Sequence, residues 1–120
     1  RGLIIEHLMR GFMIEQVFES IRLQSYPHLP SRFQSYFGFE KRDQMVFFNL
    51  KFSSRNVLPA MWLVESDRWY RGDMSLLDDG TSLVHFMDNA HRYWSGLVVN
   101  QKMVEYLLPL PIQIVKQLPI

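Results

Sequence analysis

Val104-Glu105-Tyr106-Leu107-Leu108, then Pro109-Leu110-Pro111, then Ile112-Gln113-Ile114-Val115-Lys116-Gln117-Leu118: this tail decides the fold. Each apolar run has the length of a strand rather than a helix. The proline pair between them cannot continue a ladder or a helix, so the chain turns there. One residue breaks the apolar character of the first run. Glu105 puts a carboxylate into a strand that otherwise reads as buried, where a charge needs a partner or a chemical purpose. An edge position facing solvent, an ion pair with an arginine such as Arg32, and a functional site are all open readings.

Upstream of the tail, Leu83, Val84, Phe86, Met87, Ala90, Tyr93 and Trp94 recur at helical spacing, with His85, Asp88, Asn89, His91 and Arg92 opposite. Thr81 or Ser82 can cap this helix and Gly96 can end it. Asp67 to Gly80 is polar and reads as a loop with one turn of helix. Ala60 to Val64 reads as a short strand. Glu40 to Lys51 has helical spacing, with a wide apolar run from Met45 to Phe48. Arg32 to Phe39 alternates Phe33, Ser35, Phe37 and Phe39 against Arg32, Gln34, Tyr36 and Gly38, a strand pattern. Residues 3 to 24 form a helix with apolar positions at Leu3, Ile4, Ile5, Leu8, Met9, Phe12, Met13, Val17, Phe18 and Ile21. Pro27 and Pro30 stop it. Helices and strands mix without strict alternation, so the class is α+β.

The chain has 120 residues, enough for one domain spanning 1–120, and is 48% hydrophobic and 14% aromatic. It has no cysteine, which excludes disulfides, thiolate metal sites and thiol nucleophiles. No apolar run reaches membrane-spanning length and no signal peptide opens it, so a cytoplasmic domain is expected. Net charge is +1, unlike a generic nucleic-acid binder. Arg22 to Arg55 is locally basic and Glu65 to Asp88 locally acidic. These stretches are solvated faces, or the basic one meets a phosphate-bearing ligand. The four histidines lack metal-site spacing, and no metal site is expected. Gly-x-Ser-x-Gly, Walker and Gly-x-Gly-x-x-Gly motifs are absent. Arg71-Gly72-Asp73 reads as a turn. Arg32, where a loop becomes a strand, can fork onto a phosphate or onto a carboxylate.

The order of Leu29-Pro30-Ser31-Arg32-Phe33-Gln34-Ser35, Trp62-Leu63-Val64-Glu65, Asp73-Met74, Ala90-His91-Arg92-Tyr93-Trp94-Ser95-Gly96 and Glu105-Tyr106-Leu107-Leu108-Pro109 resembles a family of bacterial proteins in the ADP-ribosyltransferase superfamily. More loosely, it is similar to the DNA-modifying ADP-ribosyltransferase toxins. The resemblance implies a split core of two small sheets with flanking helices and NAD in the cleft between them. It implies Glu105 as the catalytic glutamate. Ser31, Arg32 and Ser35 would lie on the strand that contacts NAD, with Tyr93 and Trp94 bracing the site. The stretch Leu97 to Val104 would face the acceptor. It further implies a mono-ADP-ribosyltransferase acting on nucleic acid or protein, in a toxin or phage-defence setting with a neutralising partner. An NAD glycohydrolase or a non-catalytic binding domain on the same scaffold are the alternatives. Two departures are visible. Met103 stands where arginine-modifying members carry Glu or Gln, and the opening strand with its Arg or His has no counterpart, so an N-terminal segment is expected upstream of Arg1.

Overall fold

The computed structural model describes residues 2–45, 61–78, 80 and 82–119, with side chains of the first helix from Gly11 onward. Helix α1 runs from Gly2 to Ser25. After a loop and a 3-10 turn at Arg32–Gln34 come strand β1 (Ser35–Gly38) and a helical turn at residues 42–45. Then follow β2 (Met61–Glu65), β3 (Tyr70–Asp73), helix α2 (Leu83–Trp94), β4 (Val104–Pro109) and β5 (Gln113–Leu118). The α+β class and the two strands of the tail are as expected. The helical pattern over residues 46–51 and the residue Ala60 lie outside the described residues.

The described strands form two small antiparallel sheets, one ordered β1-β4-β3 and one pairing β2 with β5. The chain crosses from the first to the second between β4 and β5, through the prolines. Along β4 the side chains alternate between two faces. Leu107 joins Phe18, Ile21, Phe86, Ala90, Tyr93 and Trp94 in the core, so α1 and α2 cover that face. Tyr106 and Leu108 face the other way, into the space between the sheets.

Several local expectations need correction. The Arg32–Phe39 strand begins only at Ser35, because Ser31 caps a 3-10 turn by accepting from the Phe33 amide. Within the polar Asp67–Gly80 stretch, residues 70–73 form a strand and only Met74–Leu76 is a helical turn. Arg71-Gly72-Asp73 is therefore strand and not turn, with Gly72 opposite Glu105 in the ladder. In α2 the cap is Ser82 and Gly96 follows with φ +87°, as its glycine permits. However, Leu83 and Val84 are exposed while Asn89 is buried, its amide donating to the Asp78 carbonyl at 3.1 Å. Phe12 and Met13 on α1 are likewise exposed.

Candidate functional site

Glu15 and Glu19 stand four residues apart on α1, so they share a face. Glu19 holds the loop that follows the helix. It accepts from Arg22 Nε at 2.7 Å and from the Ser31 hydroxyl at 2.6 Å. Arg22 Nη1 in turn donates to the Leu29 carbonyl at 2.8 Å. Glu15 takes Arg32 in a two-pronged contact, Nε to Oε1 at 2.7 Å and Nη2 to Oε2 at 3.0 Å. The remaining arm of that guanidinium points inward. Nη1 donates to the Tyr93 hydroxyl at 2.9 Å and to Glu105 Oε2. Tyr93 donates to the same Oε2 at 2.6 Å. Glu105 is 1% exposed. The open alternative for this residue resolves geometrically: it is buried and paired with Arg32.

Two further residues make this arrangement possible, and sequence reasoning passed over both roles. Gly72 leaves room for the Tyr93 ring. A Cβ there would stand 2.5 Å from Tyr93 Cζ. Asp73 has no exposed surface and accepts four hydrogen bonds. Oδ1 takes the Ser75 amide at 2.8 Å and hydroxyl at 2.7 Å. Oδ2 takes the Val99 and Asn100 amides at 2.7 and 2.8 Å. Asp73 thereby ties down the loop that leads into β4. The signal for it was local: an aspartate two residues before a serine is a side-chain turn.

Burial pushes the Glu105 carboxyl above its ordinary value of 4.5, against the opposing pull of the Arg32 guanidinium and the hydrogen bonds from Tyr93 and Arg32. Burial also pushes the Tyr93 phenol well up. Burial alone would lower the Arg32 value, but Tyr93, Glu105 and Glu15 together outweigh it and raise it. The consequence for stability follows from linkage. A carboxyl whose folded value is raised binds its proton more tightly in the folded state. Its contribution is complete below 4.5 and is lost as pH rises through the folded value. Glu19, held below its ordinary value because Arg22 and Ser31 outweigh its burial, has the opposite sign and loses its contribution in acid. In urea titrations, Glu105→Gln is therefore expected to remove a fall in stability that the wild type shows as pH rises from 4.5.

On the other side of β4 lies a groove of about 830 Å³ between the two sheets. Tyr36, Trp62, Trp69, Tyr106 and Leu108 line it, with Glu40, Lys41 and Arg42 at its polar part. Trp69 and Tyr106 pack with ring centroids 5.6 Å apart, and Tyr106 donates to Glu40 Oε2 at 2.8 Å. Lys41 and Arg42 form no ion pair with another described residue, whereas Arg22 and Arg32 are paired with Glu19 and Glu15. Of the described members of the basic stretch, Lys41 and Arg42 are the ones placed to meet a ligand phosphate here.

The structure brings Arg32, Tyr93 and Glu105 together but does not put them in the groove. Ser31 and Ser35 spend their hydroxyls locally, Ser31 on Glu19 and Ser35 on the Ser31 carbonyl at 2.7 Å. Trp94 is core, its indole donating to the Phe18 carbonyl at 2.8 Å. The aromatic lining of the groove, Trp62 and Trp69 above all, was not singled out as a site, because no periodicity marks residues gathered from two sheets. No group of three or more His, Asp or Glu that could hold a metal ion occurs among the described residues.

A family model described as "Protein of unknown function (DUF2441)" matches residues 3–119. The chain belongs to this family. The matched span runs from the first turn of α1 through β5, so it includes every element that builds the buried cluster and the groove. No curated protein matches the chain. Among the described residues no helix is long and apolar enough to cross a membrane.

Proposed function

We propose that this domain binds NAD in the groove between its two sheets, and that Glu105 braces the groove from behind rather than reacting. The observation that carries this reading is the alternation along β4. Tyr106 and Leu108 line the groove, while Glu105 lies on the opposite face, closed in by Arg32 and Tyr93. A groove of about 830 Å³ falls in the range of small-molecule sites. Its aromatic faces suit flat rings, and Lys41 and Arg42 suit a pyrophosphate. The split into two small sheets is the arrangement that the resemblance to ADP-ribosyltransferases implies around NAD. The setting we propose is cytoplasmic.

A second reading keeps the chemistry of that resemblance: a mono-ADP-ribosyltransferase that modifies nucleic acid or protein, in a toxin or defence role, silenced by a partner. One observation favours it. Glu105 is a carboxylate held by an arginine and a tyrosine, and it stands on the strand whose neighbouring residues Tyr106 and Leu108 line the groove. In that reaction the nicotinamide–ribose bond breaks and nicotinamide leaves with the bonding pair. The acceptor then bonds to the sugar carbon and gives its proton to a base. A carboxylate at the sugar strengthens its contacts as positive charge develops there. Glu105 would first have to turn out of its contacts with Arg32 and Tyr93.

Calorimetric titration with NAD tests the binding reading. Saturable binding is expected, weakened by about tenfold in Trp69→Ala, the effect of losing one stacking partner. Heat that does not saturate, or binding that Trp69→Ala leaves unchanged, would remove the groove as the site.

A further inference from the structure

Arg32 has two carboxylate partners where one would neutralise it. Glu105 takes the inward arm and is buried with it, the side chains being 2% and 8% exposed. Glu15 takes the outward fork and is 32% exposed. The outer partner is therefore surplus in charge, partly exposed to solvent, and held in the two-pronged geometry by which a guanidinium grips any oxyanion with two acceptor oxygens. From this geometry we infer that the Nε/Nη2 fork of Arg32 is a binding site for a ligand oxyanion, a phosphate or carboxylate group, and that Glu15 occupies it as an internal stand-in until such a group displaces it. Tyr93 and Glu105 fix the guanidinium from within, so the fork keeps its orientation when the outer partner leaves. The site also adjoins the groove. The Arg32 guanidinium lies 5.0 Å from the centre of the Phe37 ring, and Phe37, 45% exposed, lines the groove as well. Phe37 is thus shared between the groove and the guanidinium. Exchange of Glu15 for a ligand anion would also loosen the hold of α1 on the turn that carries Arg32. Occupancy of the fork would thus be sensed by the helix.

The inference does not require NAD in the groove, and its test uses inorganic anions alone. The Arg32 Nε–H resonance is followed by NMR as phosphate or acetate is titrated at constant ionic strength with chloride. In Glu15→Gln, which keeps the shape but removes the charge, a saturable shift is expected. Its midpoint should lie at least about tenfold below that of the wild type, because Glu15 no longer competes. Tighter binding of phosphate than of acetate would identify a phosphate site, and the reverse a carboxylate site. No saturable shift in Glu15→Gln, or equal midpoints in variant and wild type, would overturn the inference. Should Glu15→Gln be unfolded in buffer, restoration of folded resonances by phosphate but not by fluoride at equal ionic strength supports the site, and restoration by both or by neither overturns it.

Discussion

Glu105→Ala is expected to lose about 3–5 kcal/mol of folding stability, read from urea unfolding, because it leaves two buried donors without their acceptor and opens a void. Arg32 would keep Glu15 at its fork, but its inward arm and the Tyr93 hydroxyl would face a void instead of Oε2. Glu105→Gln retains an acceptor for both donors and should cost less, about 1–2 kcal/mol. The combined change Arg32→Met with Glu105→Leu should recover a large part of the loss. Removing both charges together spares the desolvation that a lone charge suffers. A loss below about 1 kcal/mol in Glu105→Ala would mean that the carboxylate is not a structural brace.

Gly72→Ala should be the other severe change, for a different reason. The added methyl would meet Tyr93 at 2.5 Å from Cζ and 2.7 Å from its hydroxyl oxygen. Tyr93 cannot yield easily. Its ring has no exposed surface and packs edge-on against Trp94 at 4.8 Å and Phe18 at 5.7 Å. Either the β3–β4 ladder opens where Gly72 faces Glu105, or the ring moves and its hydroxyl leaves the carboxylate. A cost of about 3 kcal/mol or more is expected, at the upper end for overpacking a dense core. It should come with loss of the near-ultraviolet circular dichroism of Tyr93 and Trp94. Gly96→Ala is the control. That position has φ +87° but nothing within 4 Å of a new Cβ. It should cost about 1 kcal/mol through backbone strain alone, with the aromatic signal intact.

These two positions also mark what could be read from the chain. Glu105 was conspicuous because a carboxylate interrupts an apolar run, and Arg32 could be named as its partner because it begins a strand-like stretch. The strands of the tail and the body of α2 were legible for the same reason: each carries its periodicity in its own residues. β3 was not. Tyr70-Arg71-Gly72-Asp73 has little strand character alone and is a strand because β4 supplies the ladder. The requirement for Gly72 comes from a tyrosine that arrives from another element, and no local pattern encodes that. The roles of Glu15 and Glu19 were hidden similarly. Acids on a helix read as a solvated face until the following loop folds back and presents Arg22, Ser31 and Arg32 to them. The groove is assembled from both sheets, so its lining could not be seen before the sheets were placed.

Nicotinamide release from NAD, followed beside NAD binding in the wild type and in Glu105→Gln, tests the central claim most directly. With nucleic acid and cell lysate offered as acceptors, the account predicts that both proteins bind NAD alike and that neither releases nicotinamide. Release by the wild type that falls by at least about 100-fold in Glu105→Gln, as loss of a transition-state contact would produce, would contradict it and make Glu105 a catalytic residue.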